Sequence, residues 1–225
     1  MPIGRRRRLD RSVREKGVAP EPETRVREHE STRGPYDFED LPDDSLSRVD
    51  LGALQVPAVP GSDLRLDVSN TGAIVAATLR LNGSAMQLGA FAAPRHTGIW
   101  SEIRAEIIAT LDGQGGSAVE DRGRFGPEIK ASLVTNQGPQ PARFLGVDGP
   151  RWFLRALITG PAASDPASAK ALERIFRNVV VVRGTDPMAV REQLPLRLPP
   201  EAAAAAAAAE DPGSDENVDG DRDED

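Results

Sequence analysis

The sequence has no cysteine. That removes disulfides, thiolate nucleophiles, cysteine-rich zinc sites and iron–sulfur clusters together. It has two histidines, and His29 lies in a polar stretch without apolar pattern, so His96 is the one imidazole placed for chemistry. A Ser-His-Asp triad would have to run through it, and a histidine-based metal site would need carboxylates for its other ligands. No apolar run approaches the ~20 residues of a membrane-crossing helix, and no apolar signal core follows the first arginines, which makes the cytoplasm the default expectation. Lysine is scarce, three residues against 25 arginines, a bias that points to a GC-rich genome and not to nucleic-acid binding.

Charge is plentiful but unevenly placed. Residues 1–33 carry ten basic and six acidic groups, while residues 34–50 carry six acids against Arg48. Residues 51–200 hold 16 basic and 13 acidic groups, and residues 201–225 hold ten acids against Arg222. The net charge of -7 is therefore a property of the C-terminal tail, and the central region is slightly basic. Both ends lack apolar periodicity and read as disordered. The expected division is a disordered tail over residues 1–33, an acidic lead-in over 34–45, one domain over 46–200, and an alanine run with an acidic tail over 201–225.

The domain is organised around residues 142–160, which read as two strands joined by a turn at Asp148-Gly149-Pro150. Trp152, Leu154, Ala156 and Ile158 share one face of the second strand, and Phe153, Arg155, Leu157 and Thr159 share the other. Large apolar groups on both faces place that strand centrally in a sheet covered on both sides. Three strands precede it in meander order, over residues 64–68, 74–81 and 85–93, the last two joined at Asn82-Gly83. Two more, at 118–122 and 129–134, come between these three and the hairpin, and a short apolar strand lies at 179–182. The prolines of residues 51–61 exclude a central strand there, so an apolar edge segment is expected. Residues 194–200, also bounded by prolines, are expected to pack on the surface.

Two helices complete the pattern. Trp100, Ile103, Ile107 and Leu111 recur at helical spacing over residues 99–111, with Thr97 as the expected cap and Glu102, Arg104 and Glu106 off the buried stripe. Ser164-Asp165-Pro166 opens the second, whose stripe is Ala169, Leu172, Ile175 and Phe176. The fold class is α+β: an antiparallel sheet of about seven strands with two principal helices.

Strings spread over residues 34–199 carry a resemblance. They include Gly34-Pro35-Tyr36-Asp37, Gly89-Ala90-Phe91-Ala92-Ala93-Pro94-Arg95, Ile99-Trp100, and Gly146-Val147-Asp148-Gly149-Pro150-Arg151-Trp152-Phe153-Leu154-Arg155. The chain resembles the actinobacterial DUF3710 family, a domain of unknown function. The resemblance implies a single-domain intracellular protein with a basic N-terminal and an acidic C-terminal extension, and it carries no functional residues. The order of elements is also similar to that of Mog1/PsbP-like sandwiches, in which a sheet lies between helices and members act as binding or assembly factors; that likeness is one of order alone.

The candidate functional residues are few. Arg95 and His96 precede a helix start, where an arginine could hold an anion and a histidine could carry a proton. Arg151 and Arg155 share the phase of Phe153 and are suited to a carboxylate or phosphate. Arg5, Arg6, Arg7 and Arg8 could attract nucleic acid or anionic lipid, but Asp10 and Glu15 follow at once with no aromatic between, which speaks against nucleic acid as a partner. No catalytic constellation, metal-ligand spacing or cofactor motif emerges, and Gly113-Gln114-Gly115-Gly116 follows a helix instead of opening one, the wrong geometry for a nucleotide phosphate. The sequence therefore favours a non-enzymatic binding or assembly module whose protein partner and oligomeric state it does not name. An orphan enzyme or small-ligand binder with a cleft near Arg95, His96 and Arg151 is the alternative, and nucleic-acid or anionic-membrane binding through Arg5 to Arg8 is a second.

Overall fold

The structure, a computed structural model, describes residues 34–202. Its main feature is a seven-stranded antiparallel sheet. The strands are β4 (Asp63–Val68), β5 (Ile74–Leu81), β6 (Ser84–Ala92), β7 (Ser117–Gly123), β8 (Gly126–Thr135), β9 (Gly138–Gly149) and β10 (Trp152–Thr159). They lie in the order β4-β5-β6-β10-β9-β8-β7. Two meanders meet where β6 pairs with β10, so β10 occupies the middle of the sheet, as its two apolar faces require. Asn82 and Gly83 turn β5 into β6 with φ of 51° and 75°, the left-handed pair that a two-residue hairpin uses. The last turn lies one step later than expected: Gly149 pairs with Trp152, and Pro150-Arg151 make the corner with Arg151 at φ 62°. Asp148 stays in the strand because its carboxylate serves the first helix.

That helix, α1 (Trp100–Gly113), packs across β7, β8 and β9. Thr97 does not cap it. Asp148, which lies 7% exposed, accepts hydrogen bonds from the backbone N–H of Ile99 (2.8 Å) and Trp100 (3.3 Å), satisfying donors that a helix start leaves orphaned. Arg104 is buried too, against the off-stripe expectation, because its guanidinium lies over the Trp100 ring at 5.4 Å and reaches Glu120 at 3.2 Å. The core on this face is Trp100, Phe153, Ile129, Phe144 and Leu111. Trp100 stacks on Phe153 with centroids 5.5 Å apart, and its indole N–H donates to the Pro127 carbonyl at 2.7 Å.

The opposite face carries the larger core, built on Leu54, Leu79, Leu88, Trp152, Leu154, Ile158 and Phe176. It is covered by α2 (Pro166–Arg177) and by a second sheet that the pattern did not reveal: β1 (Tyr36–Asp37), β11 (Val180–Val181), β3 (Leu54–Pro57) and β2 (Arg48–Asp50), in that order. Here β3 is flanked on both sides, contrary to the edge position expected for residues 51–61. Pro57 closes the strand, so its missing N–H is lost only at the end. Residues 194–200 also go deeper than expected. Leu194 and Leu196 are buried because the segment hydrogen-bonds to Ala90 and Leu51, filling the place beside β6 that β5 leaves after pairing with Leu88. Trp152 is tied to the second sheet by its indole N–H, which donates to Asp37 at 2.6 Å.

Asp165 caps α2 as its sequence position suggests, accepting from the Ser168 hydroxyl and from the backbone N–H of Ser168 and Ala167. These bonds, led by the Ser168 hydroxyl, hold its carboxyl below the usual carboxylate range. The folded state then binds the proton less readily than the unfolded one. The cap contributes stability above the unfolded value near ~3.9 and loses it as pH falls through the lower folded value. Asp165→Ala is accordingly expected to lower the urea midpoint at about pH 7 and to converge on the parent at about pH 2. A gap of constant size at both would assign the cap no ionic part.

Candidate functional site

Because α1 spans only part of its face, the sheet beside it is left partly open. The edge of the helix and the middle of the sheet enclose a groove of about 400 Å³. Its floor is Phe91 on β6, Phe153 and Arg155 on β10, and Phe144 on β9; its wall is Ile103, Ile107, Thr110 and Leu111 on α1. Glu106 and Arg191 form the rim.

Arg155 is the unusual member. It stands opposite Gly89 on β6 and Gly146 on β9, whose places over the sheet are taken by the Phe91 and Trp100 rings, and its guanidinium lies over the Phe91 ring at 5.3 Å. Burial alone lowers its pKa from the ordinary arginine value. Among the described residues no carboxylate and no hydrogen-bond acceptor answers it. Arg191 at the rim is the reverse: it donates to Glu106 at 2.7 Å and to Glu102 at 3.0 Å, so its charge is spent on the helix. The backbone N–H of Arg191 donates to the Ala92 carbonyl at 2.8 Å, with φ at 71°, which fixes the residue over the mouth of the groove.

The residues singled out from sequence do not converge. Arg155 lies on the groove floor. Arg151 sits at the β9–β10 corner and lines a different, smaller groove with Arg183 and the acidic turn Phe38–Asp40. There its carbonyl accepts from Arg183 and from the Ala93 N–H, while its φ is positive. Arg95 and His96 are exposed in the connection between β6 and α1, and Arg95 has a partner. Arg5, Arg6, Arg7 and Arg8 lie outside the described residues. Sequence reading missed Arg191 altogether, since its partners on α1 are 85 and 89 residues away.

A second apolar groove, about 700 Å³, runs between β4 and residues 198–202. Its cation, Arg65, is already held by Asp63 at 2.7 Å. Among the described residues no three His, Asp or Glu side chains gather as metal ligands, and no helix is long and apolar enough to cross a membrane.

The model of a family described as "Protein of unknown function (DUF3710)" matches residues 34–205. The chain belongs to the DUF3710 family. The match takes in both sheets, both helices and every residue of the α1 groove. No curated protein matches this DUF3710 chain. Among solved structures it is similar to cyanobacterial PsbP (CyanoP) from Synechocystis sp. PCC 6803, with 8% identity and a TM-score of 0.41 over 61% of this chain and 92% of that one.

Proposed function

We propose that the chain is a non-enzymatic binding module whose ligand surface is the groove beside α1. The observation that carries this reading is an apolar cleft whose floor holds a partly buried guanidinium without a counter-charge among the described residues. A cleft of about this size with one placed polar group fits the usual form of a small-ligand site. The groups best suited to proton transfer are placed elsewhere or already engaged. His96 is in an exposed loop, and Glu102 and Glu106 are bound by Arg191. That arrangement supports recognition over turnover.

Ile107→Trp, which puts an indole into the groove from the helix side, is the test. The full chain purified from its native host and weighed intact under non-denaturing conditions is expected to carry a bound small molecule that the Ile107→Trp form lacks. Identical bound mass in the two forms would take the groove out of consideration.

A further inference from the structure

The kind of charge that the groove leaves open narrows the ligand. Resting on the binding reading above, we infer that the groove takes a small monocarboxylate with an apolar body, the carboxylate held by Arg155 and the body laid between Phe91 and Ile107.

Three observations lead there. The guanidinium carbon lies over the Phe91 ring, 5.3 Å from its centroid, which supports the cation through the ring face and leaves its N–H edges without an acceptor among the described residues. Those edges present the fork that matches a planar carboxylate with two parallel hydrogen bonds. Charge counting then limits the head group to one negative charge. Arg155 is the single open cation among the described residues of the groove, Arg191 is neutralised by Glu102 and Glu106, and Glu106 stands at the same rim to repel a second charge. With Arg155 as the one cation to answer it, a dianionic phosphate brings a second, uncompensated charge into an apolar groove, whereas a carboxylate brings none.

The floor also discriminates against a peptide terminus, which carries the same carboxylate. At the floor β10 and β9 are paired on both sides, and β6 is paired with β10 on one side and hydrogen-bonded to residues 191–194 on the other, so an incoming peptide has no open strand edge to join. A peptide laid there would bury its own amides without partners, whereas a hydrocarbon or aromatic body loses nothing. The volume accommodates roughly a dozen non-hydrogen atoms at about 30 Å³ each, the size of a ten-carbon acid.

The test is calorimetric titration of the full chain with sodium decanoate, 1-decanol, decyl phosphate and a tetrapeptide ending in a free leucine carboxylate. Decanoate is expected to bind at least about tenfold more tightly than any of the other three. Arg155→Met should erase that preference for the acid over the alcohol while keeping the parent melting temperature, and Arg155→Lys should restore part of it. Equal binding of decanoate and decanol, or a preference that survives Arg155→Met, overturns the head-group assignment, and tighter binding of the phosphate or the peptide overturns the ligand class. The Ile107→Trp form separates the two levels. If acid and alcohol bind alike and Ile107→Trp abolishes both, the groove stands as the binding site and the carboxylate inference falls. If Ile107→Trp leaves decanoate binding intact, or the parent binds none of the four, both fall.

Discussion

Arg143→Ala is expected to cost about 3–5 kcal/mol of folding stability. Arg143 lies on the α2 face of β9, at a position where alternation calls for an apolar side chain, and it is 8% exposed. Its Nη2 reaches Glu128 of β8 at 2.8 Å and Glu173 of α2 at 3.0 Å, so one guanidinium joins the sheet to the helix above it. Burial alone would lower its pKa, but the hydrogen bonds and charges of the two carboxylates outweigh that and hold it above the ordinary arginine value. Removing the cation leaves the buried Glu128 carboxylate without its partner and Glu173 with only the half-exposed Arg124 at 3.9 Å, and that uncompensated charge, more than the lost attraction, sets the size of the effect. Urea unfolding followed by circular dichroism measures it, provided the slope is unchanged. The companion variant, Arg143→Met with Glu128→Leu and Glu173→Leu, should recover most of the loss, because a well-packed apolar replacement has no desolvation cost to offset. A loss below about 1 kcal/mol for Arg143→Ala would mean that water reaches the triad.

The triad also illustrates which parts of this fold are legible in the sequence. Strand positions, the two helices and the central place of β10 follow from periods of two and 3.6 residues, because each side chain reports its own burial locally. The Asn82-Gly83 turn and the Asp165 cap follow from chemistry within four residues. What stayed hidden is whatever depends on distant partners. The helix cap at Asp148 lies 49 residues from Ile99, and Arg104 reads as a surface residue until Trp100 and Glu120 are placed beside it. The second sheet is hidden for the same reason: β1 and β11 are two residues each and pair across most of the described residues, too short to show any period.

The site was legible to the same degree. Arg155 stands out in the sequence as a charge on an otherwise apolar strand, and the structure puts it on the floor of a groove. The expected company of Arg95, His96 and Arg151 did not follow, since phase along a strand fixes the face of a side chain but not where the covering helix ends. Arg151 shares phase with Phe153 and is nonetheless diverted, because the chain turns at that residue. The groove exists where α1 stops covering the sheet, and the first turn of α1, which bears Ile103 of the groove wall, is seated on the sheet by Trp100.

Gly146→Ala is the prediction that tests this last point, with an expected cost of about 3 kcal/mol, toward the upper end for overpacking a core. A Cβ on residue 146 would overlap Cδ2 of the Trp100 ring and lie 2.6 Å from its Cε2. The strand cannot give way, because Gly146 is paired with Arg155 in the middle of the sheet. The ring must therefore move, and it is held by the Phe153 stack, the bond to Pro127 and the guanidinium of Arg104. Displacing it lifts the first turn of α1, which bears Ile103 in the groove wall, so decanoate affinity is expected to fall together with stability. Trp100→Leu supplies the control: it loses packing by itself but opens the space that the added methyl group needs. The double variant should be more stable than the sum of the two single losses by about 1–3 kcal/mol, the coupling of residues in direct contact. Strictly additive losses, measured by urea unfolding of all four forms, would show that Gly146 is required for some reason other than the indole lying against it.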